Sequence, residues 1–397
     1  MDKKLDESVE KMTNPTFVDK MNFLFDLEKM IDYKENDIYK KKTNKKRIAI
    51  VYDVDGWAFS NIAREIKTHL SKYYEIDTIP VSVFDDNIVN LLFLANQYDL
   101  VHLLWRGLIS CIDYDYSRTY IHNMGLDYED FINKYLLANN ITTSVYDHKF
   151  LTKDTFENTK TFAKYAKNYT VSSTILKDIY DKLEIDKKPL MVISDGVDLE
   201  KFKPKNLERF ELENINKRKI KIGWVGNSEF TDSDGDTDLK GVRKIIKPAL
   251  EELIDEGYEI ELKFADRKEG LIPHDKMPDY YNSIDVYICA SKNEGTPNPV
   301  LESLASGVPI ISTNVGIVRD VLGKKQKEFI LKERSKECLK ETLKKLLNDK
   351  KQFKELSKEN LEQRKDWSWE KKCEQFKEFF DKNLYKDRRQ AKWQQKN

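Results

Sequence analysis

The sequence predicts an α/β fold of two doubly wound domains, and three observations carry that prediction. The chain has 397 residues, where one domain accounts for ~150. Short β-branched runs alternate with helical stretches, the pattern of parallel sheets covered on both faces. The alternation stops once, across a polar stretch at 203–218 that reads as the linker, and then restarts. The expected boundaries are an N-terminal helical extension over 1–45, a first domain over 46–203, a second over 204–365 and a C-terminal segment over 366–397. That last segment is expected to be a helix crossing back to the first domain, followed by a frayed tail.

Taken in order, residues 1–45 are polar and charged apart from an amphipathic segment, Phe17 to Ile31. There Phe17, Met21, Leu24 and Ile31 share helical spacing, which reads as a helix packed on the first domain. Its flanking charges are mixed rather than basic, which disfavours a membrane-surface role. The first strand is Arg47–Tyr52, broken by Asp53-Val54-Asp55-Gly56 and followed by a helix from about Ala58 to Tyr73. Further strands are expected at Ile76–Pro80, Leu100–Leu104, Thr142–Tyr146, Thr170–Ser172 and Leu190–Ile193. The second domain opens on Lys219–Gly226, with strands near 258–264, 285–290 and 309–312. Its helices are expected near 240–256, 278–283, 299–306, 317–322 and 335–347. A long helical tail runs from Lys351, broken around Asp366–Trp369. In such sheets ligands bind at the carboxyl ends of the strands.

Composition excludes several classes. Lys+Arg and Asp+Glu both number 69, so no whole-chain basic field points to nucleic acid. The hydrophobic fraction of 40% suffices for packed cores even with 35% charged residues. The opening Met1–Glu7 is not of signal-peptide type, and the most apolar window, Ile88 to Ile109, is interrupted by Asn90, Asn96, Gln97, Asp99, His102 and Arg106. Four scattered cysteines without a CxxC pair fit a reducing compartment. The expected location is the cytoplasm, extending to the inner face of the membrane. Of 14 glycines, ten lie after residue 200, so tight backbone geometry is concentrated in the second half.

The most informative stretch is SKNEGTPNPVLESLASGVPIISTNVG, from Ser291 to Gly316. A strand ends in a loop holding Glu294, Gly295 and two prolines. A helix then starts near Asn298-Pro299, where proline suits the first turn and Asn298 or Thr296 is expected to cap. The amides at that helix start form an anion site suited to phosphate. Glu302 is expected in the first turn, its carboxylate able to accept a pair of hydroxyls such as those of a ribose. Gly307 ends the helix and Pro309 opens the next strand.

These residues resemble the signature of the family 4 (group 1) retaining glycosyltransferases of the GT-B fold, EG-x-P-x-x-x-LE-x-x-A-x-G-x-P. Glu294-Gly295, Pro297, Leu301-Glu302, Ala305, Gly307 and Pro309 match it position by position. Val192–Asp198 with Phe202 and Pro204 is similar to the family's V-I-P-N-G-V-D segment and the F-x-P after it. Tyr169–Ser173 and Met277–Val286 resemble the strands and short helix around these landmarks. Gly226, with Lys240-Gly241 further on, resembles the phosphate-binding loop and its lysine. The similarity covers about residues 46–380, more closely in the second domain.

The resemblance implies two Rossmann-like domains facing across a cleft, and a nucleotide-diphosphate sugar as co-substrate, with UDP or GDP as the nucleotide. Glu302 binds the ribose in this reading, and Glu294 acts at the donor sugar near the reacting carbon. Lys240 and the amides around Asn298, Val300 and Leu301 neutralise the pyrophosphate. Gly226, Asn227, Gly295 and Thr296 complete the donor site. No divalent metal and no resident cofactor are implied. The acceptor is expected to be a saccharide of a cell-surface or envelope glycan, with peripheral membrane association and no nucleic acid.

Departures from the pattern matter too. Asn227-Ser228 follows Gly226 where the family carries an arginine, and Arg243 and Arg267 are the candidate substitutes. The family's first-domain histidine has its counterpart in His148, offset by two positions, while Tyr146 stands nearest its place. His102 reads as a satisfied core histidine, and His69, His122 and His274 have no motif context. The acidic loop Asp232–Asp238 fails the EF-hand pattern because Thr237 stands at the sixth position and Arg243 at the twelfth. Asp53/Asp55 and Asp113/Asp115 read as turn residues. Two alternatives stay open: a sugar-nucleotide epimerase on the same fold, and a non-catalytic partner subunit in a glycosylation complex.

Overall fold

The computed structural model describes residues 44–148, 151, 156–229 and 238–384. The expected Phe17–Ile31 helix, the acidic loop through Thr237 and the C-terminal tail lie outside the described residues. The chain forms two compact units. One holds residues up to Thr170, Leu183–Met191 and the segment from Phe376; the other holds Val171–Lys182 and Val192–Gln375. The main division therefore falls at Met191/Val192, not at 203/204. Packing explains the difference. The polar 203–218 stretch, expected as a linker, forms helical turns at Leu207–Phe210 and Leu212–Ile215. Phe210 and Ile215 are buried in the second unit's core, which makes this stretch part of that unit.

The first unit is built on a six-stranded sheet of β1 (Arg47–Tyr52), β2 (Glu75–Pro80), β3 (Leu100–Leu103), β4 (Ile141–Val145), β5 (Asn168–Val171) and β6 (Met191–Val192), in the order β2-β1-β3-β4-β5-β6. β1 pairs in parallel with β2 and β3, and β3 with β4. β1 is buried from Ile48 to Val51 because both faces are covered, as its unbroken apolar run requires. The helices include α1 (Ala58–Leu70), α2 (Ile88–Ala95), α3 (Asp115–Asn123) and α4 (Phe156–Tyr165). Ile62, Ile66 and Leu70 form the buried stripe of α1 at four-residue spacing. His102 is fully buried, with ring nitrogens 3.0 Å from Thr142 Oγ1 and 3.0 Å from Ser144 Oγ. Burial lowers its pKa to about 3, so it is a neutral core residue.

The second unit carries β7 (Ile220–Gly226), β8 (Ile260–Asp266), β9 (Val286–Cys289), β10 (Ile310–Thr313) and β11 (Ile330–Leu331), in the order β11-β10-β9-β7-β8. The pairings are parallel. Its helices include α5 (Thr174–Tyr180), α6 (Lys247–Asp255), α7 (Met277–Ser283), α8 (Asn298–Ala305), α9 (Val318–Val321), α10 (Lys336–Asn348) and α11 (Lys351–Gln363). A last helix, α12 (Trp369–Leu384), begins in this unit and ends in the first. Val286 and Ile288 of β9 point into one core, and Tyr287 and Cys289 into the other, as strand alternation dictates. From β7 the chain runs to β8 on one side and to β9, β10 and β11 on the other. The strand order therefore reverses between β7 and β9, and a ligand site is expected beyond their carboxyl ends.

Candidate active site

β7 ends at Gly226, whose backbone lies so close to the Trp224 indole that an added Cβ would stand 2.9 Å from the ring. The Ser228 N–H donates to Asp266 Oδ1 at 3.1 Å, and the Lys268 N–H donates to the same oxygen at 3.2 Å. The Arg267 N–H donates to the Gly226 carbonyl at 2.9 Å. The loops after β7 and β8 are thus tied into one corner beside the switch point. Asn227 closes its own turn by accepting the Glu229 N–H at 3.0 Å. The Arg243 N–H is held by Asp238 Oδ1 at 3.2 Å.

Lys240 reaches the site because its turn docks on the end of β9. Gly241 (φ +70°) lies so near the Ala290 carbonyl that a Cβ would approach its oxygen to 2.6 Å. The Lys292 N–H donates to the Leu239 carbonyl at 2.9 Å, and Thr313 Oγ1 donates to the Ser291 carbonyl at 2.7 Å. Lys240 Nζ then donates to Glu294 Oε1 at 2.5 Å. Both side chains are largely enclosed, at 28% and 18% exposure, so solvent screens this pair less than one at the surface. Gly295 follows, its carbonyl pressed against Gly316 (φ +50°), where an added Cβ would overlap it.

The start of α8 differs in detail from expectation. Its N-cap residue is Pro297, and neither Thr296 nor Asn298 supplies a side-chain cap. Thr296 Oγ1 is buried and has no hydrogen-bond partner among the described residues. Pro299 occupies the first turn as its fixed φ favours. The Val300 N–H donates to the Pro297 carbonyl at 2.8 Å, so that amide closes the turn and is not open to an anion. Asn298 is exposed and Leu301 is buried. Gly307 (φ +71°) closes the C-terminus of α8 in the left-handed conformation.

Glu302 sits in the second turn of α8 rather than the first, with its side chain 13% exposed. Tyr281, from α7, donates its hydroxyl to Oε2 at 2.6 Å. Burial, reinforced by the Glu302 carboxylate, holds this phenol well above its usual pKa, so it remains a donor. His274 Nε2 lies 3.4 Å from Oε1, and Lys201 Nζ stands 2.7 Å from His274 Nδ1. A lysine ammonium only donates, so Nδ1 accepts and Nε2 carries the hydrogen toward Glu302.

Sequence reasoning missed Tyr281, His274 and Lys201 as neighbours of Glu302. Tyr281 had a usable signal, since it shares the buried i, i+4 face of α7 with Met277 and a buried phenol needs a partner. Lys201 and His274 are 73 positions apart, and nothing local links them.

The remaining candidates lie in the first unit. His148 is half-buried just after β4, and its carbonyl accepts the Leu151 N–H at 3.2 Å. Tyr146 is buried, its ring centroid 5.1 Å from that of Phe59. Arg106 is buried and donates to Asp147 Oδ1 at 2.7 Å, joining the loops after β3 and β4. Asp55 accepts the Tyr52 hydroxyl at 2.5 Å, Asp53 the Val54 N–H at 2.7 Å, and Asp113 the hydroxyls of Tyr128 and Tyr165 at 2.6 and 2.9 Å. These aspartates have local structural partners. Among the described residues no helix is long and apolar enough to cross a membrane.

Residues 267–363, from the end of β8 through α11, match the family described as glycosyl transferases group 1. A Bacillus subtilis protein named as a teichuronic acid biosynthesis glycosyltransferase, TuaC, is 36% identical over 74 residues, 19% of each chain. The Staphylococcus aureus protein CapJ is 28% identical over 188 residues, 42% of this chain and 43% of that protein. The matches thus span less than half the length of these curated relatives. Anabaena HepE, solved in complex with UDP, superposes with a TM-score of 0.58 at 12% identity, over 84% of this chain and 99% of that one. Residues 267–363 of the second unit thus resemble the glycosyl transferases group 1 family, and the chain has the GT-B fold of two Rossmann-like α/β domains.

Proposed function

We propose that this chain is a retaining glycosyltransferase that moves a sugar from a nucleotide-diphosphate sugar to a saccharide of a cell-surface or envelope glycan. One observation carries the reading. Glu294 and Glu302, separated by seven residues within the family match, are both enclosed at the carboxyl ends of the sheet, one against Lys240 and the other against Tyr281. Glu302 suits a ribose because Tyr281 occupies one of its oxygens and turns the other toward an exposed imidazole. Lys240 suits the diphosphate, whose charge grows as the glycosidic bond breaks, and fixed charges aimed at that growth lower the barrier. Glu294 suits the donor sugar, releasing Lys240 to the phosphates. The proposed nucleotide is UDP or GDP; HepE, which shares the fold, was solved with UDP. The proposed course is same-face attack, with the leaving phosphate taking the acceptor's proton. His148 is proposed as a further catalytic residue.

The decisive experiment is release of free nucleotide from a panel of nucleotide sugars, with and without saccharide acceptors, in buffer containing EDTA. Acceptor-dependent release with a product of retained anomeric configuration, read by NMR, supports the proposal. Interconversion of sugar epimers would identify an epimerase instead. Nucleotide binding without turnover on any donor would identify a non-catalytic partner.

A further inference from the structure

Lys240 and Glu294 come from segments 54 positions apart, and something must set their spacing. The structure assigns that task to Arg334. This residue lies three positions after β11 and one before Ser335, whose hydroxyl accepts the Cys338 N–H at 3.2 Å and caps α10. Its backbone is therefore held at a helix start. The guanidinium reaches back across the sheet end. Nε donates to the Ala290 carbonyl at 2.9 Å, and Nη2 donates to the Asp238 and Leu239 carbonyls at 2.7 and 3.3 Å. One rigid fork thus bridges the end of β9, four residues before Glu294, and the turn that carries Lys240. The Leu239 carbonyl also accepts the Lys292 N–H, which closes the lattice between the two segments.

We propose that Arg334 is a positioning residue for glycosyl transfer, holding Lys240 at the distance from Glu294 that lets it meet the donor diphosphate. The role rests on the function proposed above. A lysine at this position has a point charge on a flexible stem and cannot span three carbonyls in one plane. Misplacing a charged group by about 1 Å is enough for a rate loss of about a hundredfold.

The test is a double-mutant cycle on the whole chain, read by slow hydrolysis of the preferred nucleotide sugar and by calorimetric binding of UDP and GDP. Arg334→Ala is expected to lower kcat/KM by about 10–100-fold. Arg334→Lys should lose nearly as much while keeping the charge. In a Lys240→Ala background, the same Arg334 substitutions should cost less than about threefold, because residues acting as one unit are not additive. Full, multiplicative losses in that background would overturn the role, as would normal turnover in Arg334→Lys. If Arg334→Ala does not fold, the Arg334→Lys arm completes the cycle. A wild-type chain that neither binds UDP or GDP nor hydrolyses a nucleotide sugar would instead overturn the proposed function, before any variant is made.

Discussion

Glu294 is tightly paired with the Lys240 ammonium, and under the function proposed above a donor sugar and its diphosphate would separate the two. Interactions with the donor strengthen as positive charge develops at the anomeric carbon, so Glu294→Gln should lower turnover more than it weakens nucleotide binding. A rate loss of about 10²–10³ is expected, the size for one preorganised electrostatic group. Steady-state kinetics decide it: near-normal turnover with only a raised donor KM would reduce Glu294 to a binding contact. Glu302→Ala should weaken UDP by about 1.5–3 kcal/mol, the range for hydrogen bonds to a charged group, measured by calorimetry. Tyr281→Phe removes only the donor on Oε2. It should cost about 0.5–1.5 kcal/mol of the same binding energy, and loss of this buried hydrogen bond should also lower the melting temperature by a few degrees. If both variants bind UDP like the wild type, Glu302 does not contact the nucleotide.

At the scale of elements, the parts with strong periodicity or punctuation were legible. β1 reads from its β-branched run, and α8 is bracketed by Pro299 and Gly307, so the glutamate pair could be placed on a loop and helix before any coordinates. What stayed hidden depends on contacts across the fold. β11 is only two residues long and gains its partners from β10. The Leu207–Ile215 turns look polar because only Phe210 and Ile215 enter the core. The Val300 amide is spent on Pro297, a detail of turn geometry that residue types do not encode. Gly316 shows how one element shapes another. It adopts φ +50° after β10 and leaves room only for the Gly295 carbonyl. Gly316→Ala adds both left-handed strain and overlap there, at a cost of about 1–3 kcal/mol. The loop carrying Glu294 must then shift, so turnover should fall even in preparations that remain folded. A variant with wild-type stability and turnover would show that the Gly295 loop has slack.

For the whole molecule, two of the four places where the chain passes between its units lie near Val192 and near Gln375. Beside both crossings, inside the second unit, lies a buried charge pair that neither periodicity nor motif spacing announces. The Val197 N–H donates to the Trp367 carbonyl at 2.9 Å, and Gly196 lies so close that a Cβ would stand 2.7 Å from the Trp369 backbone. This packing buries Asp195, whose Oδ1 has no hydrogen-bond partner among the described residues. Desolvation raises its pKa to about 7, against the opposing pull of Lys372. Lys372 itself is lowered to about 8 by burial, and it lies 3.6 Å over the Trp367 ring. The signs follow from linkage. Asp195 holds its proton more tightly folded than unfolded, so its contribution falls as pH rises from about 4 to about 7 and is flat above. Lys372 releases its proton more easily when folded, so its contribution recovers only as pH rises from about 8 toward the unfolded lysine value. Both desolvation costs are therefore in force together between about 7 and 8. Asp195→Asn, the residue of the related V-I-P-N-G-V-D segment, removes the acid's share, while Asp366 and Asp320 still favour the charged lysine. The variant is expected to gain about 1–2 kcal/mol at pH 7.5, or roughly 2–8 °C in melting temperature, and almost nothing at pH 4.5. Thermal melts across that range provide the check. An equal shift at both pH values, or a loss at pH 7.5, would mean that the Asp195 carboxylate is stabilised by its surroundings rather than strained by them.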